Sequence, residues 1–552
     1  MKIHPDSSFF DLISDYHRGI NHSLSIHRFV TFMRHLRAIS VVSEELTPNS
    51  EEAIRWNEER RAIHRRLQTQ GPATIRKLTF VDTLLETAAD LPTLRAENIT
   101  GYCIIATITL PNRPPDQNLW SYIFESVARE DGEKHSASAT WKVHRTNYLH
   151  VKRKFQISVG QKRFALPGSY FRQQNGITNV CAHVCAVMML NNISTETRII
   201  TAESINGILK IDHQGTKLRL NPRIGDLQPD EAKLPRGLNL VQLRKVFAAH
   251  DYDPVDYYTH PKKRGKKESD RAKSFRDFIY GFIESGFPAL FTFTPDENQP
   301  DVQHVAAVVG HTWNPHSWMP LARSVCEIKL RDDTFLSPLH WIDDLLIHDE
   351  TIGVGCALPA RSFTPGADPE GHGNLSPKET IGLFPKSYNV KNLGYEAQRI
   401  AADFLAVLIK EPRALELLRD NKYTRRLISK RTDGEGNALL KRNLIFRPVL
   451  VPIARYLKSL DRNTEQCGDE RGVALRMKQH GPHIWLVEVS EPDLYVGHKT
   501  KVIDIAVDVK ADLSDERVVP FWRAPGTITF HNTDAYSVWK TAKHIPLFNL
   551  HN

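Results

Sequence analysis

Cysteine is scarce in this chain, with six residues in 552, and the six follow no regular spacing. A disulfide-stapled secreted domain needs a denser and more regular set, so we expect no disulfide framework and a reducing compartment. No run approaches the roughly 18 apolar residues of a membrane-spanning helix, and the first residues, MKIHPDSSFFDLISDY, lack the pattern of a signal peptide. These absences predict a cytoplasmic protein with no membrane span.

The balance of charge is moderately basic, with 73 Lys and Arg against 64 Asp and Glu and a formal net charge of +9. The densest basic run, HPKKRGKKESDRAKSFR, covers residues 260–276 and has no aromatic residue interleaved with its lysines. Surfaces that bind single-stranded nucleic acid combine basic residues with aromatic side chains that stack on bases. We therefore interpret this run as a solvated loop. Binding of nucleic acid is the less favoured interpretation.

The segment FRQQNGITNVCAHVCAVMML, Phe171–Leu190, ends in an almost wholly apolar run that predicts a buried helix. Thr178 and Asn179 are candidate N-caps, which puts Cys181 in the first helical turn. Unpaired backbone N–H groups and the helix dipole favour a thiolate there, whereas Cys185 lies one turn deeper and lacks that advantage. Cys181 is therefore the candidate nucleophile.

A second segment, GFPALFTFTPDENQPDVQHVAAVVGH at residues 286–311, contains two strand-like apolar runs around a polar turn. The second run opens with His304, continues through an unbroken apolar stretch and ends at Gly310. A histidine at the mouth of a strand is placed to act as a general base for a thiol. His311, just after the glycine, is the rival candidate.

The sequence CAHVC also offers three zinc-binding side chains, from Cys181, His183 and Cys185. In a helix, positions 181 and 185 share one face while position 183 points roughly the opposite way, so the three cannot converge on one ion. The other cysteines are far apart in the sequence and complete no four-ligand set. We predict no metal and no other cofactor.

The order of these motifs from Phe171 to Gly353, about a third of the chain, resembles the papain-like cysteine peptidases. Within that family it is most similar to the bacterial branch that includes double-glycine leader peptidases. A glutamine, Gln173 or Gln174, precedes a cysteine that opens a helix, and an amphipathic segment follows at 238–252. A Gly-x-Pro-apolar strand and the histidine-led strand HVAAVVGH then come in the family's order.

The resemblance implies a catalytic triad in which Cys181 is the nucleophile and His304 the base. The third member in that family is an Asp or Asn on the following strand, and its best match is Asp349 in WIDDLLIHDETIG, with Asn314 as the alternative. Asp343 and Asp344 are further rivals, although a helical WIDDLL would make them solvated or capping residues.

The oxyanion hole that the resemblance implies is formed by Gln174 or Gln173 together with the backbone N–H of Cys181. The implied activity is that of a cysteine protease that hydrolyses a peptide or isopeptide bond. The implied partner is a protein or peptide substrate, in some relatives one dedicated partner. Two alternatives stay open: a thiol acyltransferase, and a non-catalytic interaction or nucleic-acid-binding protein on the same scaffold.

The length and the pattern of apolar runs predict a multidomain α+β protein around a papain-like thiol hydrolase core. We expect a mainly helical region at 1–95, a β-rich segment packed on the core at 96–165, the core itself at 166–360, and an α/β domain at 385–552. In this core the cysteine lies at a helix N-terminus and the histidine on an antiparallel sheet.

Overall fold

The structure is a computed structural model, and it describes residues 2–5, 24–67, 71–111, 118–129, 146–149, 151, 153–196, 198–210, 238–258, 268–294, 304–313, 328–330, 333–363, 376–441, 443–462, 470–492, 495, 500–510, 518–531, 537–540 and 547–548. The chain is an α+β protein with three large sheets whose strands are almost all antiparallel. None of the helices in these ranges has the length and apolarity needed to cross a bilayer.

The N-terminal sheet has seven strands in the order β1-β2-β3-β4-β5-β8-β7, and all neighbours are antiparallel. Its strands are β1 Lys2–Pro5, β2 Ser40–Glu45, β3 Ala73–Val81, β4 Ile99–Thr109, β5 Leu119–Arg129, β7 Arg153–Val159 and β8 Lys162–Phe171. Two helices accompany it, α1 Leu24–His35 and α2 Glu51–Leu67.

The region at 1–95, predicted to be mainly helical, contains helices α1 and α2 and also contributes three strands to the N-terminal sheet. β-branched residues such as Val41, Val42 and Val81 are buried in these strands and suit a pleated surface better than a helix. The same sheet runs on through the expected β-rich segment and into β8, so the chain shows no break at 95 or at 165.

The central sheet has the order β15-β14-β11-β10-β16-β9, and β6 also pairs with β11. Its neighbouring strands are antiparallel. The strands are β6 Thr146–Leu149, β9 Tyr252–Tyr258, β10 Ala289–Thr294, β11 His304–Trp313, β14 Asp344–Asp349, β15 Gly353–Pro359 and β16 Ser376–Pro385. The helices beside it are α3 Cys181–Ile193, α4 Ala202–Leu209, α5 Leu240–Ala249 and α6 Glu268–Glu284.

The C-terminal sheet has the order β12-β13-β19-β20-β22-β23-β24-β25, with β13 parallel to β19. Its strands are β12 Ile328–Leu330, β13 Asp333–Leu336, β19 Leu444–Pro452, β20 His483–Ser490, β22 Ile503–Asp508, β23 Phe521–Ala524, β24 Thr527–Phe530 and β25 Ser537–Lys540. Helices α7 Gly394–Leu408, α8 Pro412–Asp420, α9 Ile453–Arg462 and α10 Glu470–Gln479, and the strand pairs β17 Ile428–Thr432 with β18 Ala438–Leu440 and β21 Thr500–Lys501 with β26 Leu547–Phe548, complete this half.

Helix α3 lies between the N-terminal and central sheets, where it contacts β8, β10 and β11. All its residues from Ala182 to Asn192 are buried. A helix with apolar side chains on every face must be surrounded by other elements in this way. Strand β11 has apolar residues on both faces for a similar reason. Val305 and Ala307 join the core around α3, and Ala306 and Val308 join a second core shared with α6, α7 and the C-terminal sheet.

A buried cluster of charged residues connects the central sheet to the C-terminal sheet. Glu284, at the end of α6, accepts a hydrogen bond from Nε of Arg447 at 3.1 Å and lies 2.7 Å from His311 of β11. Arg447 also donates to Glu488 on the neighbouring strand at 2.6 Å. These side chains are at most 1% exposed, so each charge depends on its partners rather than on water.

Candidate active site

Three of the predicted residues meet at one end of the central sheet. Cys181 is the first residue of α3, His304 is the first residue of β11 and Asp349 is the last residue of β14. Strands β11 and β14 are antiparallel neighbours, so the start of one lies beside the end of the other. Because α3 packs against β11, its N-terminus brings the thiol to the same place.

Asp349 holds the imidazole of His304 through a buried hydrogen bond. Nε2 of His304 lies 2.8 Å from Oδ2 of Asp349, and the other carboxylate oxygen accepts the backbone N–H groups of Thr351 and Ile352 at 2.9 Å. Burial by itself raises a carboxyl pKa, but His304 and these two N–H groups outweigh it and lower the pKa of Asp349. Asp349 is thus a fixed carboxylate that orients the ring.

The other nitrogen of the imidazole faces the thiol. Since Nε2 is bonded to Asp349, Nδ1 is left for the hydrogen bond between His304 and Cys181. Burial disfavours the imidazolium, but the hydrogen bonds to Asp349 and Cys181 and the charges of Asp349 and Glu350 raise the pKa of His304 well above its ordinary value. Oε1 of Glu350 lies 3.9 Å from Nδ1. These neighbours therefore stabilise the imidazolium that forms when the ring takes up a proton.

An aromatic contact fixes the same ring from the neighbouring strand. Phe293 of β10 pairs directly with His304, and its ring meets the imidazole edge to face with 5.3 Å between centroids. The His304 side chain keeps 18% of its surface exposed, whereas Asp349 keeps 1%. Part of the imidazole is thus exposed while the carboxylate stays out of water.

A single asparagine organises the loop before Cys181. Oδ1 of Asn175 accepts the backbone N–H groups of residues 177, 178 and 179 at 2.9, 2.8 and 3.2 Å. Its amide nitrogen donates to Glu59 of α2 at 2.9 Å, across 116 positions of sequence, and Glu59 also binds Arg172. Gly176 has a φ of 66°, a left-handed conformation that glycine adopts at little cost. Helix α2 therefore helps to place the thiol.

The N-cap of α3 is Val180, and no side chain caps this helix. The predicted caps, Thr178 and Asn179, are instead bonded within the loop to Asn175. The first N–H groups of a helix have no acceptor in the helix itself, so those of Cys181 and its neighbour are available to a ligand. Such donors suit the oxyanion that forms during acyl transfer.

The two predicted glutamines differ in their surroundings. Gln173 is held against β5, because its backbone N–H donates to the carbonyl of Ile123 at 2.9 Å and its side-chain oxygen accepts the N–H of Ile123 at 3.1 Å. It is 7% exposed. Gln174 is half-buried and follows it in the loop that leads to Cys181. Gln174 is therefore the better candidate for the oxyanion donor.

The other cysteines of the described ranges have unreactive surroundings. Burial raises the pKa of Cys103, and burial together with the nearby Cys181 and Asp349 raises that of Cys185 well above its ordinary value. Burial raises the pKa of Cys356 to about 11. Cys181 is the partly exposed thiol that bonds a histidine. The remaining two cysteines lie outside the described residues.

The rival candidates lie elsewhere. His311 belongs to the buried cluster with Glu284. Asp343 precedes β14 and Asp344 is its first residue, so both are at the opposite end of the strand from Asp349. The segment WIDDLL is therefore not helical as expected, because its apolar residues complete a buried strand. Asn314 lies outside the described residues, as does the stretch 260–267 of the basic run, whose remainder belongs to α6.

Within the residues that the structure describes, no group of three or more His, Cys, Asp or Glu side chains is arranged to hold a metal ion. Comparison of the chain with protein-family models, with curated proteins and with solved structures found no match.

Sequence reasoning missed three residues around the site: Glu350, Asn175 and Glu59. The Asn-Gly pair at 175–176 is a turn signal that could have indicated an organised loop. Glu350 is the direct neighbour of Asp349. Glu59 has no local signal, since it contacts the loop only because α2 packs there.

Proposed function

We propose that this protein is a cysteine peptidase with a papain-like catalytic centre. Cys181 is the nucleophile, His304 is the base and acid, and Asp349 orients the histidine. The observation that carries the proposal is one imidazole that faces the thiol at the N-terminus of α3 on one side and lies 2.8 Å from a buried carboxylate on the other. Covalent acyl transfer uses a nucleophile and a base that takes its proton, and a third group that orients the base makes the pair more effective.

The reaction starts when the Cys181 thiol transfers its proton to Nδ1 of His304 and the thiolate attacks the substrate carbonyl carbon. The carbonyl oxygen becomes negative and is stabilised by the uncapped N–H groups of α3 and by the Gln174 amide. His304 then protonates the leaving amine, which departs and leaves a thioester on Cys181. Water, deprotonated by His304, attacks the thioester and releases the acid and the free thiol.

We propose a protein or peptide as the substrate and the cytoplasm as the compartment. Free thiols at every described cysteine are consistent with a reducing environment. Water as the second nucleophile makes the enzyme a hydrolase.

The experiment that tests this function is a cleavage screen on a proteome-derived peptide library, with new N-termini identified by mass spectrometry. We expect cleavage by the full-length chain, none by Cys181→Ala, and unchanged cleavage by Cys356→Ala, because loss of the nucleophile removes the covalent route. The proposal is contradicted if cleavage survives Cys181→Ala. It is also contradicted if the full-length chain cleaves no peptide in the library and its Cys181 does not react with thiol reagents.

A further inference from the structure

A second cleft, separate from the Cys181 site, is lined by basic side chains. Its volume is about 1090 Å³, and helix α2, the start of β3 and the segment that leads into α4 form its walls. We call it the arginine cleft, because α2 supplies Arg60, Arg61 and Arg65 and the segment before α4 supplies Arg198. Cys181 and the residues bonded to it contribute nothing to its lining.

The four arginines outnumber the two carboxylates beside them and form no ion pair among the described residues. Within the described ranges, none of them has a carboxylate within the 4.0 Å of an ion pair. Nε of Arg60 is buried and has no hydrogen-bond partner among the described residues. The pKa of the neighbouring His64 is lowered, first by burial and then by the charge of Arg60. Arginine is well suited to recognise phosphate and carboxylate groups, so a cleft with four arginines favours an anionic ligand.

Two acidic residues, Glu58 and Glu203, also line the arginine cleft. Even with both ionised, four arginines leave its lining with a charge of at least +2. Burial, and next the Glu59 carboxylate, raise the pKa of Glu203 to about 7, so part of this carboxyl is protonated at neutral pH and can donate a hydrogen bond. The N-terminus of α4 at Ala202 adds a positive helix-dipole end beside it.

We propose that the arginine cleft binds a compact ligand that carries several phosphate groups. Guanidinium groups match phosphate oxygens with paired hydrogen bonds, and the volume exceeds what one phosphate would fill. The uncharged lining residues are Gly71, Pro72, Ala73, Thr201 and Ser204. Phe, Tyr and Trp are absent from the lining that the structure describes, so a nucleobase has no aromatic surface to stack on. The phosphates therefore carry the recognition.

The test is calorimetric titration of the full-length chain with inorganic tripolyphosphate, and with orthophosphate for comparison. We expect tripolyphosphate to bind at least about tenfold more tightly than orthophosphate, and the affinity to fall as salt rises. The double variant Arg61→Gln/Arg65→Gln should weaken binding at least about tenfold, the value of one lost charge-assisted contact. Both side chains are exposed, so the fold should be retained.

The matched control is Arg413→Gln/Arg431→Gln, which removes the same charge from exposed positions outside the arginine cleft. Its affinity for tripolyphosphate should equal that of the wild type. The proposal is overturned if the wild type does not bind tripolyphosphate at millimolar concentration, or if the control loses as much affinity as the cleft variant. Displacement of tripolyphosphate by a single-stranded oligonucleotide at lower concentration would also overturn it, in favour of a nucleic-acid surface.

Discussion

Replacement of Asp349 by asparagine tests the proposed catalytic group most directly. The amide oxygen can still accept the N–H groups of Thr351 and Ile352, which lie 2.9 Å from Oδ1, so the turn after β14 should survive. The amide nitrogen, however, donates to Nε2 of His304 where the carboxylate accepted. The neutral imidazole must then carry its proton on Nδ1, the atom that faces the Cys181 thiol. It can no longer receive the thiol proton.

The size of the effect follows from the lost hydrogen bond. A hydrogen bond to a charged group contributes about 1.5–3 kcal/mol, and about 1.4 kcal/mol corresponds to a tenfold change in a protonation equilibrium. The ratio of imidazolium to imidazole at His304 should therefore fall about 10- to 100-fold at a fixed pH. Burial already disfavours the cation, so the pKa of His304 moves down. We expect Cys181 to react with iodoacetamide about 10- to 100-fold more slowly at pH 6.

The assay is the rate of iodoacetamide labelling between about pH 5 and pH 9, resolved for each cysteine peptide by mass spectrometry. Cys356 is a slowly labelled comparison, because burial raises its pKa to about 11 and the Asp349 charge, which the substitution removes, is a smaller contribution in the same direction. Asp343→Asn is the matched control, because it changes a half-buried carboxylate just before β14, about 20 Å from Asp349 at 3.3 Å per residue. Equal rates at Cys181 in wild type and Asp349→Asn, or an equal loss in Asp343→Asn, would refute the reasoning.

Three further predictions concern the residues that support the site and the fold. Asn175→Ala removes three accepted backbone hydrogen bonds, so it should cost about 2–4 kcal/mol in urea unfolding and slow the labelling of Cys181; a loop that kept both values would contradict its role. Burial lowers the pKa of His348 from 6.5 to about 4. The unfolded chain therefore binds a proton that the native chain does not, and stability that is complete above pH 6.5 should fall by about 3 kcal/mol as the pH drops to about 4. This loss of folding stability should be smaller in His348→Gln than in the wild type. Equal losses in the two proteins, measured by calorimetry, would disprove the prediction. Arg447→Met removes the buried cation that Glu284 and Glu488 share, although Lys501 still lies 2.7 Å from Glu488 and His311 lies 2.7 Å from Glu284. It should cost about 3 kcal/mol, the lower end of the range for a broken buried pair, against about 0.5 kcal/mol or less for the exposed Arg413→Met; chemical denaturation curves that coincide would contradict this prediction.

The sequence alone indicated the elements that carry the candidate site. An apolar run with no polar face predicted a buried helix beginning near Cys181, and the structure has α3 at Cys181–Ile193. An unbroken apolar run after His304 predicted a strand, and the structure has β11 there. The run is apolar at successive positions because each face of the strand packs against a different core. These signals are local, because burial on every side requires apolar residues at every position of the segment.

Local patterns failed where a residue's partner lies far away in the chain. The strands at 40–45 and 73–81 exist because they pair with each other and with β4, and nothing in the helix-like flanks reveals that sheet. The predicted caps at Thr178 and Asn179 were lost to Asn175, whose own position depends on Glu59.

The sequence by itself determined which segments become the thiol helix and the histidine strand, since their composition fits only buried elements. Tertiary structure decided the rest. It placed Asp349 on Nε2 of His304, held Gln173 against β5, and gathered arginines from α2 and from position 198 around one cleft. Distances between side chains depend on how sheets and helices pack, and that packing is set by contacts between residues more than a hundred positions apart.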